Sequence, residues 1–149
     1  MTFALCLLTY MIRYRADWVL PIADEPIRDG TVTFDGDRIV AIESGHRADA
    51  IDLGRSVILP SLVNAHTHLE LSYLRGMMSP SERFLDWIRV LMATRRRFPD
   101  AADPVILHSA QAAIDEARAA GTGLVGDVSN TLVTVPLLRD GLRHFGALS

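Results

Sequence analysis

Along the first third of the chain, apolar and polar positions alternate over short runs broken by Gly, Asp and Pro, the pattern of β-strands. Arg13 to Leu20 is one such run. Thr31 to Phe34 and Arg38 to Ile42 form a pair joined through Asp35, Gly36 and Asp37. Asp-Gly favours a tight hairpin there because glycine accepts the positive φ that the turn demands. The order Thr31, Val32, Thr33, Phe34 predicts a sheet with one wet face. Ser56 to Leu59 closes the set before Pro60, which has no N–H for a sheet ladder and marks a change of direction.

The pattern changes after Pro60. A short apolar strand, Leu62 to Ala65, runs into His66, Thr67 and His68 and then into a loop. Ser79, Pro80 and Glu82 supply an N-cap, a first-turn proline and a capping-box acid for a helix, with Phe84, Ile88, Leu91 and Arg95 at helical spacing, ending near Phe98 and Pro99. A second helix opens at Asp103 and Pro104, aligns Leu107, Ala110, Ile114 and Ala117, and stops at Gly121. Gly123 to Val128 reads as a buried strand. Thr131 to Asp140 is helical only if Pro136 lies in its first turn, and Gly141 ends it. Arg143 to Leu148 starts a third strand. Strand and helix in alternation with short joins predict an α/β fold with parallel pairing after residue 60, and a division into domains 1–59 and 60–149.

Composition narrows the class. With 49% hydrophobic residues in 149, the chain has the material for a core. A net charge of -3 and a pI near 5.9 give no electrostatic footprint for nucleic acid or a membrane surface, so neither is expected as a partner. The apolar run from Met1 to Ile12 lacks a preceding basic residue and is too short to span a bilayer; it reads as a first strand or as an extension upstream of the true start. A single cysteine, Cys6, excludes an internal disulfide framework and fits a cytoplasmic setting.

The candidate chemistry lies in His66 and His68. Residues two apart on a strand point to one side, so both imidazoles can grip one ion, at the strand end where parallel α/β folds gather their ligands. Neutral imidazole suits zinc or ferrous iron. A His-x-His pair without context is more often surface or hydrogen-bonded histidine than a metal site.

The context is the run Val57-Ile58-Leu59-Pro60-Ser61-Leu62-Val63-Asn64-Ala65-His66-Thr67-His68-Leu69-Glu70. It resembles the first barrel strand of the amidohydrolase superfamily, in the branch of cytosine, guanine and adenosyl-type deaminases and chlorohydrolases; the Asn-Ala-His-Thr-His-Leu-Glu wording is also similar to that of aminofutalosine deaminases. Ala16 to Pro21, Asp29 to Val32 and Ile39 to Ile42 resemble the small β-sandwich that precedes that barrel. Ser61 departs from the glycine usual in the family. The resemblance implies the N-terminal part of a β-sandwich followed by two to three β/α units of an incomplete (β/α)₈ TIM barrel, since a whole barrel takes roughly 250 residues. It implies a divalent metal, zinc before iron, held by His66 and His68, and hydrolytic deamination of a purine-, pyrimidine- or triazine-like heterocycle. Catalytic residues are expected beyond Ser149, an isolated chain of this length is expected to be inactive, and homo-oligomerisation of a full-length parent stays open.

Other residues have two readings each. Glu70 could bind a substrate amine, or be a solvated acid or a partner of Arg75. Asp127, with Ser129 and Asn130 beyond it, sits at a strand end, where an N-cap or a role orienting a histidine is favoured over catalysis. Trp87 reads as core packing by its helical spacing, ahead of a substrate-lining wall. His46, His108 and His144 are not assigned to the site. The second reading of the whole chain is a non-catalytic remnant, or a module that binds a partner through an open sheet edge.

Overall fold

The computed structural model describes residues 11–78 and 83–143. The chain, of mixed α/β character, divides between Pro60 and Ser61 into two compact units.

The first unit is built on a five-stranded sheet. β1 (Met11–Val19), β2 (Ile27–Asp35) and β3 (Arg38–Ser44) form an antiparallel meander, with β1 opposite β2 from Met11↔Asp35 to Val19↔Ile27. The Asp-Gly turn joins β2 to β3, with Gly36 at φ 60°. The other edge of β1 takes two short parallel partners, β4 (Ile51–Asp52) and β5 (Val57–Ile58).

The wet face predicted for β2 is not there: Thr31, Val32 and Thr33 are all buried. The register explains it. Arg15 lies opposite Thr31 and Arg13 opposite Thr33, and directly opposed residues share a face. Both arginines are anchored, Arg13 to Asp49 at 2.7 Å and Arg15 to Asp29 and Asp52 at 2.6 and 2.7 Å, so their stems lie over the threonines instead of extending into water. Thr31 Oγ1 donates to the Gly45 carbonyl at 3.0 Å.

In the second unit, β6 (Leu62–Thr67) pairs in parallel with β7 (Thr122–Asp127). Between them come a 3-10 helix (Leu69–Leu74), α1 (Phe84–Arg95) and α2 (Pro104–Ala119), and α3 (Thr134–Arg143) follows β7. The core lies among these helices: Tyr73, Leu74, Leu91 and Ile106, with Trp87, Ile88 and Phe98 packed against it. Tyr73 and Phe98 meet edge to face with centroids 4.9 Å apart. No described helix is long and apolar enough to cross a membrane.

Several expectations are corrected. A 3-10 helix replaces the loop expected after His68. The capping signal at Ser79, Pro80 and Glu82 lies outside the described residues. Phe84 is not on the core face of α1; it is 70% exposed and stacks on Trp87, because the first residue of the helix overhangs the core. Asp103 caps α2 as its spacing predicts, accepting from the Val105 N–H at 2.8 Å, but Ile106 and not Leu107 is buried. Gly141 does not end α3, which runs to Arg143; glycine keeps its N–H and lowers helix stability by only about 1 kcal/mol. Arg143 therefore belongs to that helix, and the rest of the proposed third strand lies outside the described residues.

β6 and β7 approach closely because both strands carry small residues. A Cβ on Gly126 would stand 2.5 Å from the Ala65 carbonyl oxygen, and a Cβ on Gly123 would stand 2.5 Å from Ser61 Cβ. Ser61 thus fills the room that Gly123 leaves. Gly126→Ala is expected to destabilise the second unit by about 1–3 kcal/mol through forced strand separation, read as a lower urea midpoint.

Candidate functional site

β6 ends at Thr67, with His66 inside the strand and His68 one residue beyond it. The two imidazoles converge: their Nε2 atoms are 3.2 Å apart and the rings meet at 79°. His68 Nδ1 lies 2.8 Å from the Val128 carbonyl oxygen. A carbonyl only accepts, so this contact places the hydrogen on Nδ1 and leaves a lone pair on Nε2, facing His66. Both histidines are exposed.

Two nitrogens 3.2 Å apart fit a single ion, since zinc–nitrogen bonds of about 2.0–2.1 Å generate a tetrahedral edge of roughly 3.3 Å. The donor set is compatible with zinc. Among the described residues no group of three or more His, Cys, Asp or Glu side chains stands ready to hold one ion. His46 and His108 are exposed on other elements, and His144 lies outside the described residues.

The loop after β7 supplies the remaining structure. Asp127 accepts from the Leu69 N–H at 2.8 Å and from Thr134 Oγ1 at 2.6 Å, so it fixes the main chain next to His68 without touching the imidazole. It is not an N-cap in the position before α3.

Glu70 is 3% exposed, and its carboxylate is surrounded by donors. Oε1 accepts from the Asn130 N–H and Nδ2, both at 3.1 Å, and from Arg95 at 3.4 Å. Oε2 accepts from Ser129 Oγ at 2.7 Å and from the Thr131 N–H and hydroxyl at 3.0 and 2.5 Å. Six donors meet the roughly four lone-pair sites of a carboxylate, so its accepting capacity is taken up within the protein. Glu70 is neither a solvated acid nor the partner of Arg75, which pairs with Glu116. It borders a cavity of about 490 Å³ lined also by Tyr73, Phe98, Arg95 and Asn130. The sequence pointed to Ser129 and Asn130 as a rim but not to Thr131 or the Val128 carbonyl; three consecutive polar residues, 129 to 131, one position past a strand end were the available signal for the loop.

Burial pushes the Glu70 carboxyl up, and the donors from Thr131 and Ser129 outweigh it, holding the group at about 2 against an ordinary 4.5. A folded-state value below the unfolded one stabilises the fold fully above pH 4.5 and loses that contribution as pH falls toward 2. Urea unfolding between neutral pH and pH 2 should show this loss, and Glu70→Gln should flatten that part of the profile.

No protein-family model matches the chain. Among curated proteins it is 39% identical over 62 residues to a 5-methylthioadenosine/S-adenosylhomocysteine deaminase of Nitratidesulfovibrio vulgaris, a match spanning 42% of this chain and 14% of that protein. The corresponding deaminase of Bacillus thuringiensis is 37% identical over 60 residues, spanning 36% and 14%. Among solved structures, the Helicobacter pylori aminofutalosine deaminase in complex with methylthio-coformycin is similar with a TM-score of 0.72 and 27% identity, over 88% of this chain and 33% of that one. An adenosine deaminase from Xanthomonas campestris with bound zinc has a TM-score of 0.69 at 21% identity, over 87% and 31%, a likeness of fold alone. The chain thus spans about a third of its structural neighbours. With the His66-Thr67-His68 strand end in place, these likenesses support a relation to the amidohydrolase superfamily over the part of its members that the chain covers.

Proposed function

We propose that this chain supplies the first metal-binding strand of a hydrolase that deaminates a purine-like heterocycle, and that His66 and His68 hold a divalent metal, zinc before iron. The observation that supports it most directly is the pair of Nε2 atoms 3.2 Å apart, one with its lone pair exposed by the contact of Nδ1 to the Val128 carbonyl. The relatives named for deamination of adenosyl compounds, and a neighbour with bound zinc, lead to the same chemistry. On this reading β6 and β7 are the first strands of a (β/α)₈ barrel, and the unit ending at Pro60 is part of a small β-sandwich.

When bound, a divalent ion supplies electrostatic activation of water for attack on the ring carbon that carries the amine. His66 and His68 would hold that ion: His68 is fixed by its Nδ1–H, and Asp127 and Glu70 hold the neighbouring backbone. Two imidazoles fall short of the three protein ligands usual in catalytic zinc sites, so the 149 residues by themselves are expected to bind zinc reversibly and to turn over no substrate.

Zinc titration followed by metal analysis should find one ion per chain, removable by a chelator, and none after His66→Ala or His68→Ala. Equal uptake by the double alanine variant would overturn the assignment. Ammonia release from adenosine-type or triazine compounds by the purified, zinc-loaded chain would contradict the expected inactivity.

A further inference from the structure

We propose that Glu70 is a positioning residue: by gripping Ser129, Asn130 and Thr131 it holds the Val128 carbonyl against Nδ1 of His68 and so fixes the ring with Nε2 free. The proposal rests on the reading of His66 and His68 as metal ligands, and it gives Glu70 this role in place of the substrate contact expected from its position in the sequence.

The geometry points there because two stretches of chain are joined residue by residue. The Val128 N–H donates to the Thr67 carbonyl at 2.8 Å, His68 Nδ1 donates to the Val128 carbonyl at 2.8 Å, and the Leu69 N–H donates to Asp127 at 2.8 Å. Glu70 then takes the donors of the next three residues, 129 to 131. Val128 itself has no side-chain anchor, so the direction of its carbonyl is set by what holds its neighbours. Asp127 holds one side and Glu70 the other.

A second observation shows that the loop is held and not merely resting. Leu132 has φ 58°, a conformation that a leucine adopts only under constraint, and its N–H donates to Ser129 Oγ at 2.9 Å. The same Ser129 hydroxyl donates to Glu70. The carboxylate, the serine and the strained leucine therefore form one continuous chain of bonds ending one residue from the Val128 carbonyl. Glu70 itself is 3% exposed with all its accepting sites occupied, which suits a structural clamp and leaves no site for an incoming amine.

The test reads the tautomer of His68 in the full, metal-free chain by long-range proton–nitrogen correlation at mildly alkaline pH. The wild type should show His68 protonated on Nδ1. Glu70→Gln keeps the volume but replaces an accepting oxygen by a donor, and Ser129→Ala removes the hydroxyl's bonds to Glu70 and to the Leu132 N–H while sparing the other donors to the carboxylate; both should raise the Nε2–H form several-fold and weaken zinc binding by about 10- to 100-fold. Glu116→Gln, which touches only the exposed Arg75 pair, should change neither. Circular dichroism checks that each variant is folded, and Ser129→Ala carries the test if Glu70→Gln unfolds. An unchanged His68 tautomer in a folded Glu70→Gln or Ser129→Ala chain overturns the positioning role. If the wild type takes up no zinc while the tautomer still responds to these variants, the metal reading fails and the positioning stands.

Discussion

The second unit depends on the join between residues 67–70 and residues 127–131. A buried carboxylate is costly unless donors replace the water it has lost, and here six donors do so. Five of those donors come from residues 129–131, about sixty positions away in the chain, and the sixth from Arg95, so satisfying Glu70 and closing the second unit are the same event. The histidine pair inherits its geometry from that closure. His68 sits between two carboxylate-anchored stretches, and its ring has little freedom to turn away from His66.

The core of this unit lies to one side of its sheet. Tyr73, Leu74, Leu91 and Ile106 pack among the helices, whereas Leu62 and Val63, which point to opposite faces of β6, are 53% and 61% exposed. Neither face of that strand is covered at those positions among the described residues. The histidines, at the other end of the same strand, are exposed as well. The described residues leave this apolar strand open to solvent, a feature that favours association.

What the sequence disclosed follows from how local each signal is. The hairpin at Asp35-Gly36-Asp37, the cap at Asp103 and the strand carrying His66 are set by neighbours within a few residues, and all three are present. β4 was not foreseen because two residues, Ile51 and Asp52, carry no periodicity; their strand exists only by pairing with β1. The burial of Thr31 and Thr33 likewise came from arginines on a neighbouring strand and aspartates farther on. In the site, the spacing of His66 and His68 was legible from strand period alone, but the bonding of Glu70 was not. Its six donors are contributed by residues that only the fold brings near.

The contact between Ser61 and Gly123 sets a rule for exchange at the start of the parallel pair. Only one of the two positions has room for a side chain, so bulk there is shared across the strands and not owned by either residue. A glycine at 61 would release position 123 to carry an alanine, while a larger residue at 123 beside the present serine would push the strands apart before they reach the histidines. Substitutions at these two sites are therefore tolerated as a couple and resisted singly.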